Sequence, residues 1–207
     1  MYFNAFTQGF TLLLTLIVAI GPQNLFVLKH GITKRHVGFT SMVTGLCDSV
    51  VLAIGGLGAG YIFASHEWLK TAILWAGIVF LYTYSLRCFY KAWRPGEIRV
   101  DLSAPAENEK RWPIFLAAAG FTFLNPQALL DLFVIIGGVA AQYPLPERYI
   151  FVLGSIAGSN LWFLCLGYAG KIMSKLFVSR RAWQILDMLI GLTMLALASK
   201  LLMMELP

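Results

Sequence analysis

The sequence predicts an all-α integral membrane protein with six transmembrane helices. Of its 207 residues, 58% are hydrophobic and only 13% are charged, which is far from the balance of a soluble domain. The apolar residues form runs long enough to cross a bilayer as helices, for which about 20 residues are needed. Two of these runs are interrupted by a proline beside amide side chains. Together these observations predict two inverted three-helix repeats in which helices 1 and 4 are broken.

The six predicted spans are apolar runs separated by short polar turns and by one longer polar segment. They cover approximately residues 5–28, 37–63, 69–89, 113–141, 149–170 and 184–204. The longer segment contains prolines and charges of both signs, so it is predicted to link the two halves. The predicted organisation is a first repeat at 1–90, a cytoplasmic linker at 91–112 and a second repeat at 113–207.

The first span is interrupted by Gly21, Pro22, Gln23 and Asn24. Proline removes one backbone donor and crowds the preceding turn, and the two amides bring polar groups that lipid does not satisfy. Irregular backbone at membrane depth is tolerated only where it is buried in protein or lines a wet cavity. We therefore predict a helix break at Gly21 and Pro22 that forms part of a solute site.

The fourth span has a similar interruption at Asn125, Pro126 and Gln127, with Asp131 about one and a half turns later. Interruptions at corresponding places in two halves are typical of broken-helix transporters. The helix that begins near Pro126 is expected to direct its positive dipole end at the break, where a carboxylate binds well. The amides at both breaks either contact a solute or satisfy backbone groups that the prolines free, and both roles stay open.

Two acids, Asp48 and Asp131, lie deep within predicted spans. Because a lone charge there is costly, each is expected to face the protein interior or a water-filled path, and such acids mark ion and proton pathways by default. A structural ion pair with Arg87 or Arg94 is the alternative. The predicted substrate-binding residues are Gln23, Asn24, Asp48, Asn125, Gln127 and Asp131.

The basic residues predict the orientation of the chain. Thirteen of the sixteen Lys and Arg residues flank one set of span ends and three flank the other. The positive-inside rule assigns the larger group to the cytoplasm, which places both termini outside. The charges are thus interpreted as topology determinants and lipid headgroup contacts, not as a nucleic-acid site. Asp187 is expected to pair with Arg180 or Arg181, and the tryptophans are expected to be mainly interfacial anchors.

Several classes of function lack their sequence signatures. Cys47, Cys88 and Cys165 are single and lie within predicted spans, so neither a disulfide framework nor a thiolate metal site is indicated. No hydrolase triad, nucleotide-binding loop, or haem or flavin motif occurs, and we predict a protein that is not an enzyme, carries no cofactor and uses an ion gradient. Glycine pairs such as Gly154 and Gly158 pack helices within one chain or between two chains, which leaves a homodimer open.

Two segments resemble the lysine/arginine exporter family, and the similarity extends over essentially the full length. They are residues 20–31, which read IGPQNLFVLKHG, and residues 121–127, which read FTFLNPQ and are followed by Asp131 and a Gly-Gly pair. The resemblance implies a bacterial inner-membrane exporter of basic amino acids that is driven by the proton gradient. It also implies that Asp48 and Asp131 occupy the family's intramembrane acidic positions.

Two positions refine this comparison. Exporters of neutral amino acids in a related branch usually have an acid after Gly-Pro, where this chain has Gln23. The family commonly has histidine after its Asn-Pro, where this chain has Gln127, so a titratable group is absent there. An exporter of neutral amino acids or of a toxic cation would share this architecture, and a membrane scaffold or enzyme is the remaining class.

Overall fold

In the computed structural model, the regular structure of the described residues is entirely helical. The structure describes residues 2–18, 21–56, 66–93, 110–174 and 180–205. A π-helical segment, Asp131–Ile136, joins two short helices. The α-helices are α1 Tyr2–Ile17, α2 Pro22–Thr33, α3 Val37–Ile54, α4 Glu67–Trp93, α5 Arg111–Phe123, α6 Pro126–Leu130, α7 Gly137–Ala140, α8 Glu147–Met173 and α9 Arg180–Glu205.

Membrane-length helices confirm the predicted all-α membrane class. Among the described helices, α3, α4, α8 and α9 are long and apolar enough to cross a bilayer. Two bent pairs bring the total to six if each pair counts as one span: α1 with α2, bent by 83°, and α5 with Pro126–Ala140, bent by 58°. The linker and the end of the second span fall largely on residues 57–65 and 94–109, which lie outside the described residues.

Both breaks have the same backbone cause. Gly21 and Asn125 each have φ of −104° and an extended ψ, and the proline after each is the first residue of a new helix. A residue before proline is disfavoured in the helical region, whereas proline itself fits the first helical turn because no N–H is needed there. The sequence therefore ends one helix and starts another at the same point in each half.

The side chain of Asn24 provides a hydrogen-bond partner for a backbone carbonyl at the first break. Its Nδ2 donates a 2.7 Å hydrogen bond to the carbonyl of Ile17, the last residue of α1. Trp162 of α8 in turn donates its Nε1–H to Asn24 Oδ1 at 3.1 Å. The expectation of an interfacial anchor is therefore wrong for Trp162, whose indole N–H finds its partner in the interior.

The two halves pack on each other reciprocally. The broken span α1–α2 lies on α8, and the other broken span, through α5 and the π-helical segment, lies on α3. The second spans α3 and α8 pack together, as do the third spans α4 and α9. Two repeats related by a two-fold axis in the membrane plane would produce this exchange of partners. The division into repeats at the predicted boundaries stays a prediction.

Glycines allow α1 and α8 to approach backbone to backbone. A Cβ added at Gly154 would meet the carbonyl of Phe6, and a Cβ added at Gly9 would meet the carbonyl of Phe151. Gly158 likewise lies against the carbonyl of Phe10. The pair Gly154 and Gly158 thus serves packing within the chain, and the predicted homodimer stays a prediction.

We expect Gly154→Ala to destabilise the protein because its new methyl group would force α1 away from α8. Overpacking of this kind costs about 1–3 kcal/mol. Gly138→Ala is the matched control, since a Cβ there meets nothing within 4 Å. Thermal unfolding in detergent measures both, and equal stability of the two variants would contradict the close contact.

We also expect the effects of Asn24→Ala and Trp162→Phe on the free energy of unfolding to be coupled. Each variant removes one side of their hydrogen bond, so the double variant should deviate from additivity by about 0.5–3 kcal/mol. Unfolding free energies in mixed micelles measure this deviation. Asn24→Ala combined with Trp75→Phe, a tryptophan on the exposed face of α4, should be additive, and additivity in both pairs would refute the bond.

Candidate functional site

A cavity of about 250 Å³ lies where the two breaks meet. All six residues predicted as substrate-binding line it, together with the predicted break residues Gly21 and Pro22. Pro126, the remaining predicted break residue, begins α6 instead. The full lining is Leu13, Leu16, Ile17, Gly21, Pro22, Gln23, Asn24, Asp48, Asn125, Gln127, Ala128, Asp131, Leu132 and Leu197.

The cavity lies on one side of the breaks. Helix α1 contributes residues from its last turns, and Pro126–Ala140 contributes residues from its first turns. Of the other arms, α2 contributes only its first three residues and α5 contributes none. Gln8 and Tyr143, near the far ends of the two contributing arms, are joined by a hydrogen bond. The cavity therefore lies on the side of the breaks at which α1 begins, and neither Gln8 nor Tyr143 lines it.

Aromatic side chains fill the opposite side of the breaks. This aromatic cluster consists of Phe26 on α2, Phe80 and Tyr84 on α4, and Phe121 on α5. The ring centroid of Phe121, which is fully buried, lies 5.1 Å from that of Phe26, 5.0 Å from Phe80 and 4.8 Å from Tyr84. These centroid distances are those of packed aromatic pairs, so apolar rings occupy the space between α2, α4 and α5 on this side.

Asp48 is buried at the cavity wall with only 2% of its surface exposed. Its Oδ1 accepts hydrogen bonds from Gln23 Nε2 at 2.8 Å and from the Thr122 hydroxyl at 3.1 Å. Its Oδ2 accepts one from the Ser159 hydroxyl at 3.1 Å. Gln23 also donates to Thr122 at 3.0 Å. These bonds link α2, α3, α5 and α8 at a single carboxylate.

Asp131 has a different environment. It is partly exposed and accepts a 3.1 Å hydrogen bond from Gln127 Nε2, one turn earlier on the same helix. A carboxylate offers about four acceptor positions, so most of its capacity is available to the cavity that it lines. Each proline is thus followed by a glutamine that donates to one of the two acids.

The remaining amides divide between the roles that the sequence left open. Asn24 is engaged by Ile17 and Trp162 and therefore secures the break. Asn125 is 8% exposed, lines the cavity and forms no side-chain hydrogen bond within the described part of the chain. Its amide is the one best placed to meet a solute.

The sequence did not identify Thr122 and Ser159 as partners of Asp48. Hydroxyl residues occur in most of the spans, and each can bond to its own helix backbone, so no pattern separates these two from the others. Of the two arginines considered as ion-pair partners of Asp48, Arg87 lines a different pocket and Arg94 lies outside the described residues. Asp187 pairs with Lys29 of α2, which corrects the expected pairing with Arg180 or Arg181.

The cavity combines two carboxylates and several amides with an apolar wall. Such a set can bind a cationic group at a carboxylate and a second polar group at the amides. The described residues contain no group of three or more His, Cys, Asp or Glu side chains that could hold a metal ion.

Comparison with known proteins places this arrangement in a family. The family model for the LysE type translocator matches residues 14–205. The chain is 30% identical over 195 residues to the arginine exporter protein ArgO of Salmonella enteritidis, covering 94% of this chain and 91% of the relative. It is 31% identical over 194 residues to the "putative amino-acid transporter YggA" of Aeromonas salmonicida, covering 94% and 93%. No solved structure matches.

The family match covers both breaks, both acids and every residue that lines the cavity except Leu13. It confirms the family that the two proline motifs indicated, and with it a membrane translocator and not an enzyme. The chain belongs to the LysE type translocator family.

Proposed function

We propose that the protein exports a basic amino acid, lysine or arginine, across the bacterial inner membrane in exchange for protons. The observation that carries this proposal is the single cavity at the two helix breaks, which is lined by two intramembrane acids and by amides. Similarity to an arginine exporter over 94% of the chain supports it.

The size of the cavity suits one small solute. Its volume of about 250 Å³ corresponds to about eight water molecules at roughly 30 Å³ each. Pockets for drug-sized ligands begin at roughly 300 Å³. An amino acid with a few waters fits within these limits, whereas a bare metal ion would leave most of the space to solvent.

Asp131 is the better placed acid to receive the cationic side chain of the substrate. It is partly exposed and has a single hydrogen-bond donor, Gln127. The substrate carboxylate would then lie toward Asn125 and the amino-terminal ends of α2 and Pro126–Ala140, whose dipoles favour a negative charge. The two ends of a basic amino acid thus find complementary groups within one cavity.

Asp48 is the better placed acid for coupling to protons. Its three donors come from three different helices, so a change in its charge alters the bonds that hold these helices together. Protonation would remove one acceptor position and add a donor, and it would turn three charge-assisted hydrogen bonds into weaker neutral ones. The charge of Asp48 would therefore bias the arrangement of the four helices that meet there.

The structure suits an outward-facing state of such a carrier. With the termini outside, as the charges predict, the cavity faces the exterior and the aromatic cluster closes the cytoplasmic side. Alternating access would require α2 and α5 to separate around Phe121 while α1 and Pro126–Ala140, near whose far ends Gln8 and Tyr143 are already bonded, close over the cavity. The extended residues Gly21 and Asn125 are the points at which these arms can change direction.

We expect neutralisation of Asp131 to weaken substrate binding and neutralisation of Asp48 to abolish proton-driven flux. Asp131→Asn should weaken arginine binding by about 10- to 150-fold, because a hydrogen bond to a charged group contributes about 1.5–3 kcal/mol. Asp48→Asn should abolish arginine flux driven by a proton gradient while leaving binding largely intact. Binding of labelled arginine to protein in detergent and flux in proteoliposomes measure the two effects.

Glu147→Gln is the matched control for both variants, since this acid lies at the start of α8 and does not line the cavity. It should bind and transport arginine as the unaltered protein does. Full proton-dependent transport in both Asp48→Asn and Asp131→Asn would refute the roles assigned to these residues.

We expect lysine and arginine to compete with labelled arginine far better than threonine or agmatine does. Threonine lacks the cationic side chain, and agmatine is arginine without its carboxylate, so each loses one of the two proposed interactions. Competition in the flux assay measures this order. Equal competition by threonine would indicate a carrier of neutral amino acids, and equal competition by agmatine would indicate a carrier of organic cations.

A further inference from the structure

A second pocket, of about 200 Å³, lies beyond the aromatic cluster. Phe26 and Tyr84 of that cluster form part of its wall, so the pocket is separated from the cavity at the breaks. It is bounded by α2, α4 and α5. Its lining is Phe26, Lys29, His30, Tyr84, Arg87, Cys88, Lys91, Pro113, Ile114 and Ala117.

The charge of this pocket is strongly positive. Lys29, Arg87 and Lys91 line it, and no acidic residue does within the described part of the chain. Lys29 is paired with Asp187, whose carboxylate lies outside the lining. Arg87 and Lys91 are exposed, lie one turn apart on the same face of α4 and form no ion pair with a described residue. Within the described part of the chain, these two positive charges are thus available to a ligand.

The pocket lies at the level of the membrane surface. Trp93 follows Lys91 by two residues and is 89% exposed, and Trp112 precedes Pro113 and is 64% exposed. Exposed tryptophans at the ends of spans mark the headgroup region. Pro113, Ile114 and Ala117 give the pocket an apolar wall next to its cations. A pocket with cationic side chains beside an apolar wall is complementary to a phospholipid, which has an anionic phosphate next to apolar acyl chains.

We propose that this pocket binds a phosphate group, that of an anionic phospholipid in the cytoplasmic leaflet. Arg87 and Lys91 bind the phosphate oxygens, arginine in a forked geometry and lysine as a point charge. The apolar residues of α5 contact the glycerol and the first part of the acyl chains. Basic pockets between membrane helices on the cytoplasmic side bind such headgroups. The substrate cavity takes no part in this binding, so the proposal does not depend on the transported solute.

Arg87→Gln/Lys91→Gln tests the site. The unaltered protein and this variant are purified in detergent, and phosphatidylglycerol, phosphatidylcholine or inorganic phosphate is added to each. Native mass spectrometry then measures binding, and thermal unfolding measures stabilisation. We expect phosphatidylglycerol to bind and stabilise the unaltered protein, and the double variant to bind it at least about tenfold more weakly, because each cation near an anionic lipid contributes. No solute gradient is present, so a failure of the transport proposal leaves this result unaffected.

Lys171→Gln/Arg181→Gln is the matched control. It removes one lysine and one arginine from the same predicted side of the membrane, and neither residue lines the pocket. It should bind phosphatidylglycerol as the unaltered protein does. If inorganic phosphate reproduces the stabilisation and the pocket variant abolishes it, the phosphate chemistry holds with a soluble source. Equal lipid binding by the two double variants, or no preference for phosphatidylglycerol over phosphatidylcholine, would overturn the proposal.

Discussion

The bilayer core supplies no hydrogen-bond partners, and the structure is organised around that constraint. Each proline ends the hydrogen-bond ladder of a span, so the freed backbone groups and neighbouring amides must be satisfied inside the protein. Asn24 does this at the first break by joining α1 to α8. The polar groups that remain collect around one cavity, so the feature that makes the breaks tolerable also creates a place for a polar solute.

Much of this could be predicted from the sequence because proline and charge in an apolar run have few interpretations. Pro22, Pro126, Asp48 and Asp131 are each unfavourable in lipid, and the residues predicted from them line one cavity. The helix class and the family are confirmed. What the sequence left open was whether the amides hold the fold or face the solute, because an amide serves either purpose with the same atoms.

The missed residues show where sequence reasoning stops. Thr122 and Ser159 bond to Asp48, yet serine and threonine are common in membrane helices and usually bond to their own backbone. Trp162 was included in a general expectation for tryptophans, and Asp187 was assigned to the interface from its position near a span end. The partners of both come from α2, which is distant in the sequence. Such contacts depend on how the halves dock, and a hydropathy pattern does not encode that.

The two halves are alike in backbone but not in chemistry, and this difference places the two acids in separate environments. Gln23 and Gln127 each follow a proline and donate to an acid, but Gln23 reaches across to Asp48 on α3 whereas Gln127 bonds within its own helix. The position that matches Asp131 in the first half is Val27, which is buried in the core. One acid is therefore part of the contact between helices, and the other lies open to the cavity. The proposed exchange of a cationic solute for protons would use both kinds of group, since coupling requires a charge whose bonds depend on helix position and binding requires a charge that a solute can reach.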